Sequence, residues 1–481
     1  MNKRVHLLLL NLSFPAGLAA GAGGDFNTLR IARNGVGEPV LRGTSLAGVL
    51  RHAYSRSLGA NTKSDSEQVR RYFGHALDDK AECPSTIRVA DCVLNVGQSS
   101  DALIRTHHLR SRHTRAVVDG GLFALECCPP GTTAQVSIWF HEPNNTSIHT
   151  GDFTFLQAIV SLLNGGLTVG GSAARGIGRI ELSGPAKIRT FELSDLDQHA
   201  IYLETQRSLR IGGKLAVPGL ETMENGESVN QQLDITLKLG VPRGQDFLVA
   251  DGQGNDHETE PQRVHHVDGH EYWRIPGSTF RGLFRAWMTK LAAKEGLLVA
   301  DSYMRQENHR SSKTKVSTDE INGENLGRCF LPKDEGADPT HPPKIDCPIA
   351  SLFGSVFSAG RIHFSDALSL KGSAKSYTEQ IRMHVAVDRI TGGAAESMLF
   401  DNTVLVATDS KNTPSFEVKI RVTDPTEHEV QWLRKTILAL DLGLLRLGSS
   451  KSAGRIELQI PPTATGPLAD QLTSIIPQRN R

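Results

Sequence analysis

The chain has 481 residues, 38% of them hydrophobic, with 53 Lys and Arg against 52 Asp and Glu for a formal net charge of +1. That length exceeds what one core comfortably supports, and the even charge excludes a global positive field as the means of holding nucleic acid, so such contacts need local patches. Six cysteines do not suggest a disulfide framework, which favours the cytoplasm, and no apolar run reaches the ~20 residues of a membrane span.

Residues 5–12 read as a core strand. Lys3-Arg4 ahead of Leu7-Leu8-Leu9-Leu10 has the outline of a weak signal peptide, but Asn11 and Ser13 break the apolar run. A polar, glycine-rich loop follows at 16–38. Arg42-Gly43-Thr44-Ser45-Leu46 then opens a helix with Ser45 placed as its N-cap, and Arg51 follows. Tyr72-Phe73-Gly74 marks a turn, and Ile87 begins a strand ending in Asp91. The basic run His107, His108, Arg110, Arg112, His113 and Arg115 reads as a hairpin-like excursion. A strand at 133–140 and an amphipathic helix at 153–163 lead to a loop with Gly171, Arg175, Gly176 and Gly178, then a last strand at 179–182.

After 184–230, read as a linker, the series starts again. A strand returns at 233–239 and a loop at 241–271. Pro276-Gly277-Ser278-Thr279-Phe280 opens a helix with Thr279 as cap, followed by Arg281 and Arg285. Leu352-Phe353-Gly354 repeats the turn, and Ile362 to Asp366 the strand. Arg112, Thr114 and Leu122-Phe123 return without a gap as Arg389, Thr391 and Leu399-Phe400, on a thinner basic excursion with Arg382 and His384. A strand at 415–422, a helix at 430–440, the glycine loop with Gly448, Lys451 and Gly454, and a strand at 455–459 complete the copy. Five blocks repeated in order make the chain two copies of one unit.

Strand, helix, strands, helix, strand predicts an α+β fold of two tandem ferredoxin-like (βαββαβ, RRM-like) modules at 1–183 and 231–460. The second carries a polar insertion at about 300–346, and 461–481 reads as a loose tail. Taken alone, the glycine loops equally suit tight turns, the arginines a solvated helix face, and the basic excursion an exposed hairpin. Asp91 and Asp366 read as structural strand-end residues bonding nearby amides. Cys127-Cys128 should pack in the core. Cys329 and Cys347, with His309 and His341, form a weak zinc-ligand set lacking a C-x-x-C pair.

The ordered motifs, together with the run Ser-Ala-Gly-Arg-Ile-His-Phe-Ser-Asp-Ala at 358–367 and Val-Asp-Arg-Ile-Thr-Gly-Gly-Ala at 387–394, resemble the RAMP superfamily of CRISPR proteins. More closely, they resemble the Cas-seven backbone subunits of type III effector complexes, here fused in tandem with a thumb hairpin in each module. The first copy departs at Arg42, where the family has proline, and at Ser111 and Arg115, where it has aspartate and glycine.

The resemblance implies a subunit that holds guide RNA, presents complementary target RNA, and assembles with other type III subunits: a large signalling subunit, further backbone subunits and cap subunits. Its RNA contacts would be Ser45, Arg51, Arg110, Arg112, His113, Arg115, Gly171, Arg175, Gly176 and Gly178 in the first copy. In the second they would be Thr279, Arg281, Arg285, Arg389, Gly448, Lys451 and Gly454. Glycine lets amides approach a phosphate, helix N-termini attract anions, and basic side chains suit a backbone recognised by shape.

An aspartate in the loop after the first strand would support metal-dependent cleavage of the target. In-line attack by a 2′-hydroxyl needs activation of that hydroxyl and neutralisation of phosphate charge; one carboxylate holding Mg²⁺ can suffice. Asp25 is the candidate in the first copy, and Asp246, Asp251 and Asp256 in the second. Gly244-Gln245-Asp246-Phe247 echoes Gly24-Asp25-Phe26, which favours Asp25 and Asp246 as the Mg²⁺-holding acids. The alternatives are a guide scaffold without chemistry and a histidine-dependent guide-processing ribonuclease using Asp256-His257 or His265-His266.

Overall fold

The computed structural model describes residues 4–25, 28–58, 67–74, 84–97, 103–110, 117–142, 150–171, 176–210, 217–223, 232–250, 258–297, 347–354, 359–369, 377–388, 390–408, 416–448 and 454–473. In the first half these form β1 (Arg4–Phe14), β2 (Gly21–Asp25), β3 (Thr28–Ile31), β4 (Val40–Leu41), α1 (Gly43–Ser57), α2 (Glu67–Phe73), β5 (Ile87–Val89), β6 (Cys92–Asn95), β7 (Leu103–Arg110), β8 (Val117–Cys127), β9 (Thr132–His141), α3 (Thr150–Asn164) and β10 (Glu181–Leu182). Next come β11 (Lys187–Glu192), α4 (Leu196–Arg210) and β12 (Glu221–Thr222). The second half holds β13 (Gln232–Gly240), β14 (Asp246–Phe247), β15 (Glu258–Thr259), β16 (Arg263–His265), β17 (Glu271–Ile275), α5 (Gly277–Lys294), α6 (Pro348–Phe353), β18 (Ile362–Phe364), β19 (Ala367–Ser369), β20 (Tyr377–Val387), β21 (Ala394–Ala407), β22 (Phe416–Thr423), α7 (Glu427–Asp441), β23 (Glu457–Leu458), β24 (Thr463–Thr465) and α8 (Ala469–Thr473).

The chain is a mixed α+β protein with two major sheets, ordered β12-β11-β1-β9-β6-β4 and β16-β17-β19-β22-β13-β23. Their pairings repeat. β9 takes β1 and β5 as antiparallel partners just as β22 takes β13 and β18. β1 and β13 each carry a short closing strand, β10 or β23. One face of each sheet is apolar. In the first half Leu8, Leu10 and Leu12 meet Leu46 and Leu50 of α1 and Phe155 and Ile159 of α3. In the second, Leu233, Ile235 and Leu237 meet Phe280 and Phe284 of α5 and Leu433 and Ile437 of α7. Each such fully buried side chain contributes about 1.5–3 kcal/mol through apolar transfer. A capping box between Thr426 and Glu429 starts α7.

The opposite faces differ, and the sequence shows why. β13 alternates, so Asp234, Thr236 and Lys238 line a polar face. β1 does not alternate: Leu7 and Leu9 are buried on its second face. Their cover comes from 184–230, where the expectation of a linker is corrected. β11 pairs with β1 from Arg4↔Glu192 to Leu9↔Lys187, and α4 closes a separate cluster of Val5, Leu7, Leu9, Trp139, Phe191, Tyr202 and Val217. Residues 461–473 are likewise not loose, since β24 pairs with β13 and Leu472 is fully buried in the core.

The loops expected at 16–38 and 241–271 contain strands that build two smaller sheets. β2 and β3 join the β7–β8 hairpin, while β14 and β15 join β20–β21. These sheets also share a register: Thr28 pairs with Ala124 as Glu258 pairs with Asp401, and Leu18 bridges Cys128 as Phe247 pairs with Leu405. The insertion at about 300–346 lies outside the described residues.

Candidate nucleic-acid interface

Two helix starts, two glycine turns and two hairpins carry the candidate RNA contacts. α1 and α5 begin at Gly43 and Gly277, after Arg42 and Pro276, neither of which caps with its side chain. The cap comes from a distant strand end. Gly43 N donates to Asp91 Oδ1 at 2.8 Å and Gly277 N to Asp366 Oδ1 at 2.9 Å. Ser45 and Thr279 therefore sit inside the first turn and are not the N-caps; Asp91 and Asp366 are structural, as expected, but act across the fold. Glycine is required here because a Cβ would lie 2.1 Å from the Val89 carbonyl oxygen at Gly43 and 2.4 Å from that of Phe364 at Gly277. Burial pushes the Asp91 carboxyl up, yet the Gly43 amide and the Arg42 guanidinium outweigh it and hold the group below its ordinary value.

Arg281 donates to the Phe353 carbonyl, and Arg51 and Arg285 are part-buried on the same helices. The expected solvated basic face is thus partly a packed one.

The glycine turns are tight against protein. Gly170 and Gly448 have φ of +87° and +99°, and a Cβ would strike the Ala19 and Leu248 carbonyl oxygens. Gly178 and Gly454 stand in the same relation to Val169 and Leu447. The structural counterpart of Gly448 is therefore Gly170, one residue before the Gly171 that the sequence alignment suggests. Gly171 has open space where a side chain would go, and its amide donates to Ala19 O. Gly176 (φ +90°) presses on the Phe364 carbonyl of the other half. Arg175 and Lys451 lie outside the described residues.

The hairpins extend in register, with Arg105↔Leu125 and His107↔Phe123 in one and Arg382↔Asn402 and His384↔Phe400 in the other. Each carries a stacked His–Phe pair, His107–Phe123 at 5.3 Å and His384–Phe400 at 5.4 Å. Sequence reading missed this repeated pair, although the matching one-residue spacing of arginine and histidine was visible. Arg110 belongs to β7, paired with Val117. Arg112, His113, Arg115 and Arg389 lie outside the described residues. Beside Arg389, Asp388 accepts the Ile390 and Thr391 amides at 2.9 and 2.7 Å, which fixes the start of the tip.

The candidate acids separate. Asp246 is held by Arg382 through Nε at 2.9 Å and Nη2 at 3.0 Å. Those bonds keep its carboxyl below the usual carboxylate range. The register also moves the counterpart of Asp25. Asp246 directly precedes Phe247, the equivalent of Leu18, so its register position is that of Gly17. Asp25 ends β2, three residues before Thr28, and Asp256 lies two residues before Glu258, the equivalent of Thr28. The two acids of the Gly-Asp-Phe echo therefore do not occupy equivalent positions in the register. Asp251, Asp256 and His257 lie outside the described residues.

The remaining candidates lie apart from one another. His266 contacts Asp268 at 3.2 Å and packs where a Cβ on Gly131 of the other half would lie, while His265 is exposed. Cys347 is buried and caps α6, its Sγ accepting the Ala350 amide; Cys329 lies outside the described residues. Among the described residues no three His, Cys, Asp or Glu side chains form a group suited to a metal. Cys127 and Cys128 are buried, as expected, and burial pushes their thiols up to about 11 and about 12. No helix among the described residues is long and apolar enough to cross a membrane.

Between the halves lies a small cationic cleft, with room for about 20 Å³, lined in part by Arg179, His363, Lys419 and Arg421. Burial and the nearby Arg421 both push Arg179 down from its ordinary value. Arg421 is bidentate to Asp234 at 2.7 and 2.9 Å and donates to the carbonyls of Gly165 and Gly166 beyond α3.

No curated protein matches the chain. The family model described as the RAMP superfamily matches residues 16–181 and 202–456, most of the chain and in two segments that follow its two halves. The chain belongs to the RAMP superfamily, and that membership carries a CRISPR-associated RNA-binding role.

Proposed function

We propose that this protein is a Cas-seven-type backbone subunit of a type III CRISPR interference complex, built of two ferredoxin-like modules. It grips guide RNA with both halves and cleaves complementary target RNA in the cytoplasm, beside further backbone, cap and signalling subunits. The observation that carries this reading is the double register: each half sets a glycine turn, an Asp-capped helix and a His–Phe-bearing hairpin around its sheet in the same order. An RNA strand running past both halves would then meet the same side chains at a regular interval. Backbone amides and arginines would hold it by phosphate contacts without reading its sequence.

Cleavage is assigned to Asp25 and Asp256. Asp246 fits a metal poorly because Arg382 engages both of its oxygens. Magnesium, when bound, would offset charge on the scissile phosphate. The chain's own acids would position it, and the hairpins would hold the target so that its 2′-hydroxyl lies in line. A guide scaffold without chemistry is the second reading, favoured for the second half if Asp256 proves inert. Histidine-dependent processing is disfavoured at His266, whose ring is packed between the halves. The test is product mapping on a guide-loaded complex with Asp25→Ala, Asp256→Ala and Asp246→Ala.

A further inference from the structure

The cleft between the halves carries more positive charge than the side chains around it balance. The first half supplies Arg179 and the hydroxyl of Thr168; the second supplies Lys419, Arg421, His363 and Ser365. Asp234 takes up Arg421 through two bonds at 2.7 and 2.9 Å. Glu181 stands before the other two cations, its Oε1 3.3 Å from Arg179 Nε and 3.7 Å from Lys419 Nζ. Three full cations thus face two carboxylates. The Arg179 Nε is buried, and among the described residues nothing accepts its proton. Burial and Arg421 both disfavour its charged form, and an anion beside it would offset both.

The surroundings are built around these groups. Gly166 has φ +75°, and a Cβ on it would fall 1.6 Å from Arg421 Nη1, so only glycine lets the turn after α3 seat on that guanidinium. Ser365 Oγ accepts the Lys419 amide at 2.8 Å and keeps its own proton to donate. The room of about 20 Å³ exceeds the ~10–15 Å³ that one water needs; it holds one compact group, and neither a base nor a length of strand. The set is also unrepeated. Strand pairing equates Asp234, Arg421 and His363 with Leu7, Trp139 and Arg88 of the first half, where Leu7 and Trp139 are buried in one cluster with Phe191 and Tyr202. Contacts to a strand running past both halves would recur in both, and these do not.

We propose that this cleft binds one free tetrahedral oxyanion of the phosphate class, which ties the two halves together. The Arg179 guanidinium and the Lys419 ammonium would supply the charge, and the Ser365 and Thr168 hydroxyls would donate to the remaining oxygens. Arg179 and Thr168 belong to the first half, Lys419 and Ser365 to the second. The ion therefore binds only the joined chain and stabilises the joint. The site stands apart from the RNA grip and the cleavage proposed above and depends on neither.

Isothermal titration of the full-length protein with inorganic phosphate, in chloride at constant ionic strength, tests this. Wild type should bind about one phosphate per chain and saturate below about 10 mM, and Arg179→Gln and Lys419→Gln should each weaken binding at least about tenfold. The Lys419 side chain is 42% exposed, so Lys419→Gln carries the test alone if Arg179→Gln fails to fold by circular dichroism. A guide-length RNA bound first should leave the phosphate titration unchanged. Absence of saturable binding, or wild-type binding by either folded variant, would overturn the proposal and leave the cleft to water. Loss of the phosphate signal once RNA is bound would overturn it too, and would assign the cleft to the strand's own phosphates.

Discussion

Arg105 and Asp366, 261 residues apart, form a buried ion pair across the two halves, with Nη1 to Oδ2 at 2.7 Å and side chains 4% and 1% exposed. Asp366 also caps α5 through Gly277, and Arg105 donates to the Ala16 carbonyl at 3.1 Å. One carboxylate thus ties a hairpin of the first half to a helix start in the second.

Removing one partner leaves the other charge buried. Arg105→Ala should therefore destabilise the protein by about 3–5 kcal/mol, read as a lower denaturant midpoint. Arg382→Ala, at the equivalent but solvent-facing position, should leave the midpoint nearly unchanged.

The helix-capping role of Asp91 predicts a loss of about 0.5–2 kcal/mol for Asp91→Ala. The Gly43 amide and the Arg42 guanidinium hold its folded-state carboxyl below the ordinary aspartate value. A depressed folded value means the stabilisation is present above the unfolded value and is lost as pH falls through the folded one. The gap between wild type and Asp91→Asn should thus be constant near neutrality and close only at strongly acid pH, as thermal melts across a pH series would show.

Much of the architecture could be read from the chain because it is written twice. The repeated blocks located β5 and β18, α1 and α5, and the hairpins, and the apolar periodicity located α3 and α7. The small strands β2, β3, β14 and β15 were not legible: they are short, lack alternation and exist only because a hairpin edge pairs with them. β11 and α4 were missed for a different reason. Nothing at 184–230 repeats, and the clue lay elsewhere, in the unbroken Leu7–Leu10 run that demands cover on both faces of β1. The Arg105–Asp366 pair had no local signal at all. At the candidate site, the echo around Asp246 did not predict the register, because short sequence similarity does not fix strand pairing.

Glycine substitutions separate folding from RNA contact. Gly178→Ala and Gly454→Ala place a Cβ 2.0 and 1.7 Å from a carbonyl oxygen at positive φ. They should cost on the order of 1–3 kcal/mol. Gly171→Ala meets open space and should leave the melting temperature unchanged. A weaker guide-RNA affinity in that variant would place the RNA at this turn, as filter binding can measure.

The central claim is that Asp25 and Asp256 support cleavage at two places and Asp246 does not. The most direct measurement is the product pattern of end-labelled complementary RNA on the guide-loaded complex with Mg²⁺ or chelator. Wild type should give discrete products that chelator abolishes. Asp25→Ala and Asp256→Ala should each remove one, with target binding intact, and Asp246→Ala should remove none. An unchanged pattern in the Asp25 and Asp256 variants, or loss of a product in Asp246→Ala, would contradict the assignment.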